Sequence, residues 1–184
     1  SMAVAKLQGV DPAPPDVLLD VSRSALVVGG GLAGLTASMA IADQGFGVCL
    51  VEAEEELGGM ALRLHTQLDG TDPRKYMEDL IAQVEKHPRI KVFKDARVVL
   101  SRGSAGRFRS AISGENGIFP LEHGVTILAT GGHEAKIYES GFCVHRTVMT
   151  HFGLEEKLAT GALDVGSLGA VAMIQCWRSR KEGE

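Results

Sequence analysis

No apolar run in this sequence is long enough to span a bilayer. Its start, Ser1-Met2-Ala3, has neither a basic segment nor an apolar core, which excludes a secretory signal in the chain as given. Ser1 and Met2 read as the scar of an expression tag. Cysteine is scarce: Cys49, Cys143 and Cys176 form no CxxC pair and no cluster, as expected of free thiols in a reducing, cytoplasmic compartment. Net positive charge is lacking too. The formal charge is −4, so there is no electrostatic footprint for nucleic acid, and the short basic tail Arg178, Arg180, Lys181 reads as a solvated terminus. The histidines show neither HExxH nor HxH spacing, and no P-loop GK[ST] or Ser-His-Asp arrangement stands out. Metal, P-loop and triad chemistry are therefore not indicated.

What is present is a moderately apolar chain of 184 residues, 45% hydrophobic and 23% charged, long enough for one α/β domain. Its 23 glycines are dispersed among apolar segments, which suggests tight turns and close backbone approach to a ligand rather than low complexity. Residues 3–23, with Asp11-Pro12-Ala13-Pro14-Pro15, read as a stiff arm. The apolar run Ser24–Gly29 predicts a buried parallel strand, and Leu32–Gln44 a helix with Ala33, Ala37 and Ala40 on one side. Val48–Val51 predicts a second strand, ended by Glu52. After a loop over 54–71, Asp72 caps and Pro73 opens a helix that Pro88 stops. Ile90–Phe93 is a third strand. Ala96–Leu100, Phe108–Ile112 and Ile118–Leu121 form an antiparallel meander, and Gly124–Ala129 returns to the parallel sheet. Residues 133–150 read as irregular, His151–Thr160 as a short helix, and Leu168–Cys176 as one more buried strand. The expected fold is an α/β, Rossmann-like three-layer sandwich: a parallel sheet with helices on both sides and the meander as an insertion. The expected division is an arm over 1–23, a dinucleotide-binding domain over 24–132, and a connecting segment over 133–184 that starts whatever follows.

The chemistry is carried by Gly29-Gly30-Gly31-Leu32-Ala33-Gly34, a G-x-G-x-x-G run with a strand before it and a helix after it. Gly29 allows the tight turn, Gly31 leaves room for a pyrophosphate, and Gly34 lets the helix pack on the strand. The first N–H groups of that helix, from Leu32 and Ala33 onward, lie at its positive end, where a diphosphate is stabilised. Glu52, with Ala53 beside it, stands where a carboxylate accepts both hydroxyls of an adenosine ribose and repels a 2′-phosphate. This unit alone does not separate FAD from NAD. Gly58-Gly59 and Ala129-Thr130-Gly131 add to it: the first brings the chain back over the cofactor, and the second lets small residues touch the diphosphate-ribityl part of a long ligand. Arg63 is a candidate for a phosphate or the flavin. Arg97 and Val98, where the meander begins, complete the candidate set.

This arrangement resembles the glutathione- and thioredoxin-reductase-like flavoproteins. The stretches LVVGGGLAGLTASMAIADQGFGVCLVEAEEELGG (26–59), LIAQVEKHPRIKVF (80–93) and MIQCWRSR (173–180) further resemble the A-subunit family of heterodisulfide reductases and the related flavoprotein subunit of quinone-modifying oxidoreductase. The resemblance implies an FAD domain in an electron-transferring oxidoreductase, partner subunits of a multi-subunit redox complex, and iron–sulfur clusters in the longer parent. The chain would then be an excised piece that lacks the late segment completing the flavin site, and not active alone. Cys176 falls where the family begins a cluster motif, but one thiol cannot hold a cluster. Trp177 and Arg178 depart from the family pattern, which has glycine at the second of these positions. Two other readings stay open: an NAD-binding dehydrogenase domain, and an inert assembly piece using apolar surface near Leu168–Ile174.

The remaining reactive residues point elsewhere. Cys49 reads as a core thiol. Cys143 has only His145 nearby to lower its pKa and no partner cysteine. His87 reads as a helix-end residue facing the last carbonyls, Glu54, Glu55 and Glu56 as a solvated turn, and Asp69-Gly70 as a plain turn. No residue is assigned a catalytic role.

Overall fold

The computed structural model describes residues 20–134, 145 and 147–174. Strand β1 (Ser24–Val28) leads into helix α1 (Leu32–Asp43) and strand β2 (Gly47–Val51). A 3-10 turn (Gly59–Arg63), helix α2 (Pro73–Lys86) and strand β3 (Ile90–Phe93) follow. The meander comprises β4 (Arg97–Ser104), β5 (Arg107–Gly114) and β6 (Gly117–His123). Strand β7 (Val125–Leu128) and helix α3 (His151–Ala159) come after it. Each expected element through residue 160 is present. The meander strands run longer than their apolar cores predict, because hairpin pairing continues through the polar flanks Arg102–Ser104 and Arg107.

The central sheet has the order β3-β2-β1-β7 and is parallel throughout. Its strands alternate faces. Val27, Val48 and Leu50 turn to one side and pack with Leu35, Met77, Leu80 and Val84 of α1 and α2. Leu26, Cys49 and Val51 turn to the other and meet Ala96, just before β4, and Ile112 of β5. Helices on both sides were expected. Among the described residues α1 and α2 share one face and the meander covers the other. The cause is chirality: both crossovers step in the same direction along the sheet, and right-handed connections then place both helices on the same side.

The packing face of α1 also differs from the expected small-residue side. It is Gly34, Leu35, Ser38 and Ala42 that are buried, whereas Ala33 and Ala40 are exposed. Helix α2 starts as its sequence predicts: Asp72 accepts a hydrogen bond from the Arg74 N–H at 2.9 Å. The neighbouring Arg74 guanidinium holds that carboxyl well down, at about 2. At the other end, the His87 backbone N–H bonds the Val84 carbonyl at 3.2 Å, but its ring does not reach the last carbonyls. Its Nδ1 accepts from the Arg89 N–H at 3.1 Å, and Nε2 faces Asp43 at 3.5 Å.

The expected strand over Leu168–Cys176 is absent in its described part, 168–174; residues 175 and 176 lie outside the described residues. Val171, Met173 and Ile174 are exposed, and the run pairs with no described strand. An apolar run becomes a strand only where a strand edge supplies hydrogen-bond partners. Cys143, the arm over 1–19 and the basic tail also lie outside the described residues.

One buried polar group went unread in the sequence. His123, at the end of β6, is fully buried and stacked on Phe108, with ring centroids 5.4 Å apart. Its Nδ1 donates to the Val125 carbonyl at 3.0 Å, and Nε2 is hydrogen-bonded with the Ser110 hydroxyl at 2.8 Å, which is in turn bonded with the Ser101 hydroxyl at 2.9 Å. Burial pushes its pKa below 6.5, against the weaker opposing effect of the Val125 carbonyl. The unfolded chain therefore binds a proton more readily than the folded one, so His123 favours folding above pH 6.5 and this contribution fades as pH falls below it. The urea midpoint should drop between pH 7.5 and pH 5.5, a range above the ordinary carboxylate pKa values. In His123→Asn most of that drop should vanish; an equal drop in both proteins would assign it to other groups.

Candidate functional site

The predicted site residues gather at the C-terminal ends of the parallel strands. Gly29–Gly31 follows β1, Glu52-Ala53 follows β2, and Ala129–Gly131 follows β7. The chain steps from β1 through β2 to β3 on one side of β1, while β7 lies on the other. The crevice between β1 and β7 is thus a topological switch point, where open α/β sheets bind ligands.

Steric detail separates the glycines by task. Gly29 has φ +109°, and a Cβ there would lie 2.2 Å from the Ala129 carbonyl oxygen. A Cβ on Gly34 would lie 1.8 Å from the Gly29 carbonyl oxygen, so the first turn of α1 and the end of β1 are in backbone contact. Gly31 is different: nothing lies within 4 Å of the place its Cβ would take. It is also the N-cap of α1, which has no side-chain cap and no acid in its first turn. Among the described residues, the helix start thus presents unpaired N–H groups from exposed Leu32 and Ala33 with room above Gly31, a cradle that fits a diphosphate.

Glu52 is tied in on both oxygens. Oε2 accepts from the buried Gly30 N–H at 2.5 Å and Oε1 from the Glu54 N–H at 3.0 Å. The backbone of Glu52 bonds Phe93 and Ala96, which brings the first residues of β4, Arg97 and Val98, close to it. Glu54, Glu55 and Glu56 are exposed, as expected of a turn. Gly58-Gly59 does return over the phosphate loop: the Gly58 N–H donates to the Gly30 carbonyl at 2.8 Å, and Gly31 and Gly58 form an isolated bridge. Gly30 and Leu57 were missed in the sequence. A Cβ on Gly30 would come 2.4 Å from Leu57 Cδ2, so Leu57 buries the underside of the loop. The G-x-G-x-x-G pattern leaves its second position free, and hence gave no signal for Gly30.

Arg63 stands apart from the phosphate loop contacts. Its guanidinium lies 4.5 Å from the centre of the Phe152 ring and 3.7 Å from the Glu134 carboxylate. Thr130 and Gly131 are exposed beside Ala129, whose N–H donates to Val28. Cys49 is a core thiol as expected, with its pKa pushed up to about 11 by burial. No group of three or more potential metal ligands is present among the described residues. No described helix is long and apolar enough to cross a membrane.

Comparison with known proteins agrees with this geometry. Residues 24–100 match the sequence model of the FAD binding domain family. The chain is 38% identical over 112 residues to the second iron–sulfur A-subunit of CoB–CoM heterodisulfide reductase from Methanopyrus kandleri, covering 58% of this chain and 16% of that protein. It is 32% identical over 118 residues to the A-subunit of ferredoxin:CoB–CoM heterodisulfide reductase from Methanosarcina acetivorans, covering 59% and 14%. The aligned stretch thus spans no more than 16% of either relative's own length. L-proline dehydrogenase from P. horikoshii shares the fold, with a TM-score of 0.55 at 21% identity over 62% of this chain and 23% of that one. The family match decides the cofactor for FAD over NAD. Residues 24–100 are thus similar to the FAD binding domain family, and across about half its length the chain is similar to the heterodisulfide reductase A-subunits.

Proposed function

We propose that residues 24–132 hold FAD extended across the ends of β1, β2 and β7, within an electron-transferring flavoprotein oxidoreductase. The observation that carries this reading is the uncapped start of α1 above an unobstructed Gly31. There the N–H groups of Leu32, Ala33 and Gly34 would receive the diphosphate, with Gly29 making the turn and Gly31 giving the ligand room. The Glu52 carboxylate, next to Ala53, would take the ribose hydroxyls, and Arg97 and Val98 would flank the adenine end. Gly59 on one side and Ala129, Thr130 and Gly131 on the other would line the path toward the ribityl chain. Arg63, already paired with Glu134, would stand toward the flavin end. Bound FAD supplies the redox chemistry through its isoalloxazine, and the chain supplies binding and orientation.

The similarity to the heterodisulfide reductase A-subunits supports partner subunits of a multi-subunit redox complex and iron–sulfur clusters in the longer parent protein, and the scarce cysteines without CxxC spacing support a cytoplasmic setting. A role in assembly contact is favoured by a separate observation, the exposed Val171, Met173 and Ile174.

The test is titration of the purified chain with FAD, followed by flavin fluorescence and repeated with NAD in excess. Saturable FAD binding that NAD does not displace is expected. Binding of NAD in place of FAD, or of neither, would overturn the proposal; neither ligand, with dimers in gel filtration, would favour assembly contact.

A further inference from the structure

The segment that follows Gly58-Gly59 is held from a distant part of the chain. Glu155 of α3 accepts hydrogen bonds on Oε1 from the backbone N–H groups of His65 at 2.6 Å and Thr66 at 3.1 Å. These two bonds hold the Glu155 carboxyl below the usual carboxylate range, so it is ionised at neutral pH. Phe152, one turn earlier on α3, lies under the Arg63 guanidinium. The other hydrogen bonds of residues 65–71 are local: Gln67 pairs with Thr71, Gly70 with Gln67, and Thr71 with Asp69. Among the described residues, the bonds tying this loop to a remote element therefore end on one carboxylate. At its other end the same segment sits on the phosphate loop, where Gly58 bonds Gly30 and a Cβ on Gly59 would lie 3.4 Å from the Gly31 Cα.

We propose that Glu155 is a positioning residue for the flavin site: by holding His65 and Thr66 it keeps the Gly58–Arg63 segment closed on the phosphate loop and so sets how tightly FAD is retained. The proposal rests on the flavin reading above. Loop closure and cofactor binding are then linked, and linkage is reciprocal: what opens the loop must weaken FAD, and FAD must close the loop.

The experiment uses the whole 184-residue chain. Tryptic cleavage between Arg63 and Leu64 is timed by mass spectrometry with and without FAD, and the FAD dissociation constant is measured by fluorescence. FAD should slow this cleavage in the wild type. Glu155→Ala should speed cleavage and weaken FAD, each by about tenfold, the effect of losing hydrogen bonds to a charged acceptor. Glu155→Gln, which keeps an acceptor oxygen, should recover part of both. Glu156→Ala, an exposed acid on the same helix, should change neither. Wild-type protein that binds no FAD would remove the flavin reading and this inference with it. Wild type that binds FAD beside a Glu155→Ala chain with unchanged affinity would overturn the inference alone, whatever the cleavage rate.

Discussion

Gly34→Ala is expected to abolish flavin retention and to destabilise the fold, whereas Gly31→Ala, three residues earlier, should leave the fold intact and still weaken FAD. The two differ in what their new methyl groups would meet. At Gly34 it would lie 1.8 Å from the Gly29 carbonyl oxygen and 3.0 Å from the carbonyl carbon. Gly29 has little freedom to retreat. Its φ is +109°, its own Cβ position faces the Ala129 carbonyl at 2.2 Å, and its N–H is bonded to Val51 at 2.8 Å. The clash therefore has to lift α1 from β1 or open the turn, and either shift moves the helix N–H groups away from the diphosphate. Overpacking in a filled interior costs about 1–3 kcal/mol, and backbone contact leaves no side chain to rotate aside. At Gly31, in contrast, nothing among the described residues lies within 4 Å of the place a Cβ would take, and the φ of −75° suits alanine. Its methyl group would occupy the space the proposed site assigns to the cofactor. Thermal melts of the FAD-free proteins and FAD titration of each decide the matter. Retention of FAD within about threefold of wild type by Gly34→Ala would show that the helix start does not hold the cofactor, since a factor of three is well under 1 kcal/mol.

The G-x-G-x-x-G pattern already gives Gly31 and Gly34 these separate tasks, one to leave room and one to pack helix on strand. The order strand, glycines, helix, strand, acid was legible because each element has a local cause: a β-branched run, an uncapped helix start, a carboxylate at a strand end. Helix α2 was equally legible, since Asp72-Pro73 and Pro88 bracket a run with apolar residues at helical spacing. What the glycine pattern does not give is the approach of Ala129 to Gly29, a contact between residues a hundred positions apart. The single helical face of the sheet was missed because it follows from crossover direction rather than from any residue. Glu155 and His123 gave no signal for the same reason. Their partners, the N–H groups of His65 and Thr66 in one case and Ser110 in the other, are supplied only by tertiary packing. The apolar run Leu168–Ile174 erred the other way, since its composition suits a strand and no described edge receives it.

Glu52→Ala should lower both stability and flavin affinity, and the two losses report separate roles of one carboxylate. The first role is internal. Gly30 is buried, and its N–H is satisfied by Glu52 Oε2 at 2.5 Å. Truncation strands that donor, at a cost of about 1–3 kcal/mol, and releases the Glu54 N–H from Oε1. The second role is the proposed ribose contact, which exists only with FAD bound. Because the Gly30 loop also carries the diphosphate end, the two effects should combine to weaken FAD about a hundredfold, or about 2.7 kcal/mol. Glu52→Gln divides them. Its carbonyl oxygen can keep the Gly30 bond, but its amide nitrogen then meets the Glu54 N–H, donor against donor, and a neutral amide is a weaker acceptor for ribose. Stability close to wild type with FAD weakened about tenfold is the expected result for this variant. Urea unfolding without FAD reads the first role, and titration reads the second. A Glu52→Ala protein as stable as wild type would remove the internal role. A Glu52→Gln protein that binds FAD as tightly as wild type would remove the ribose contact and leave Glu52 as a brace for the glycine loop alone.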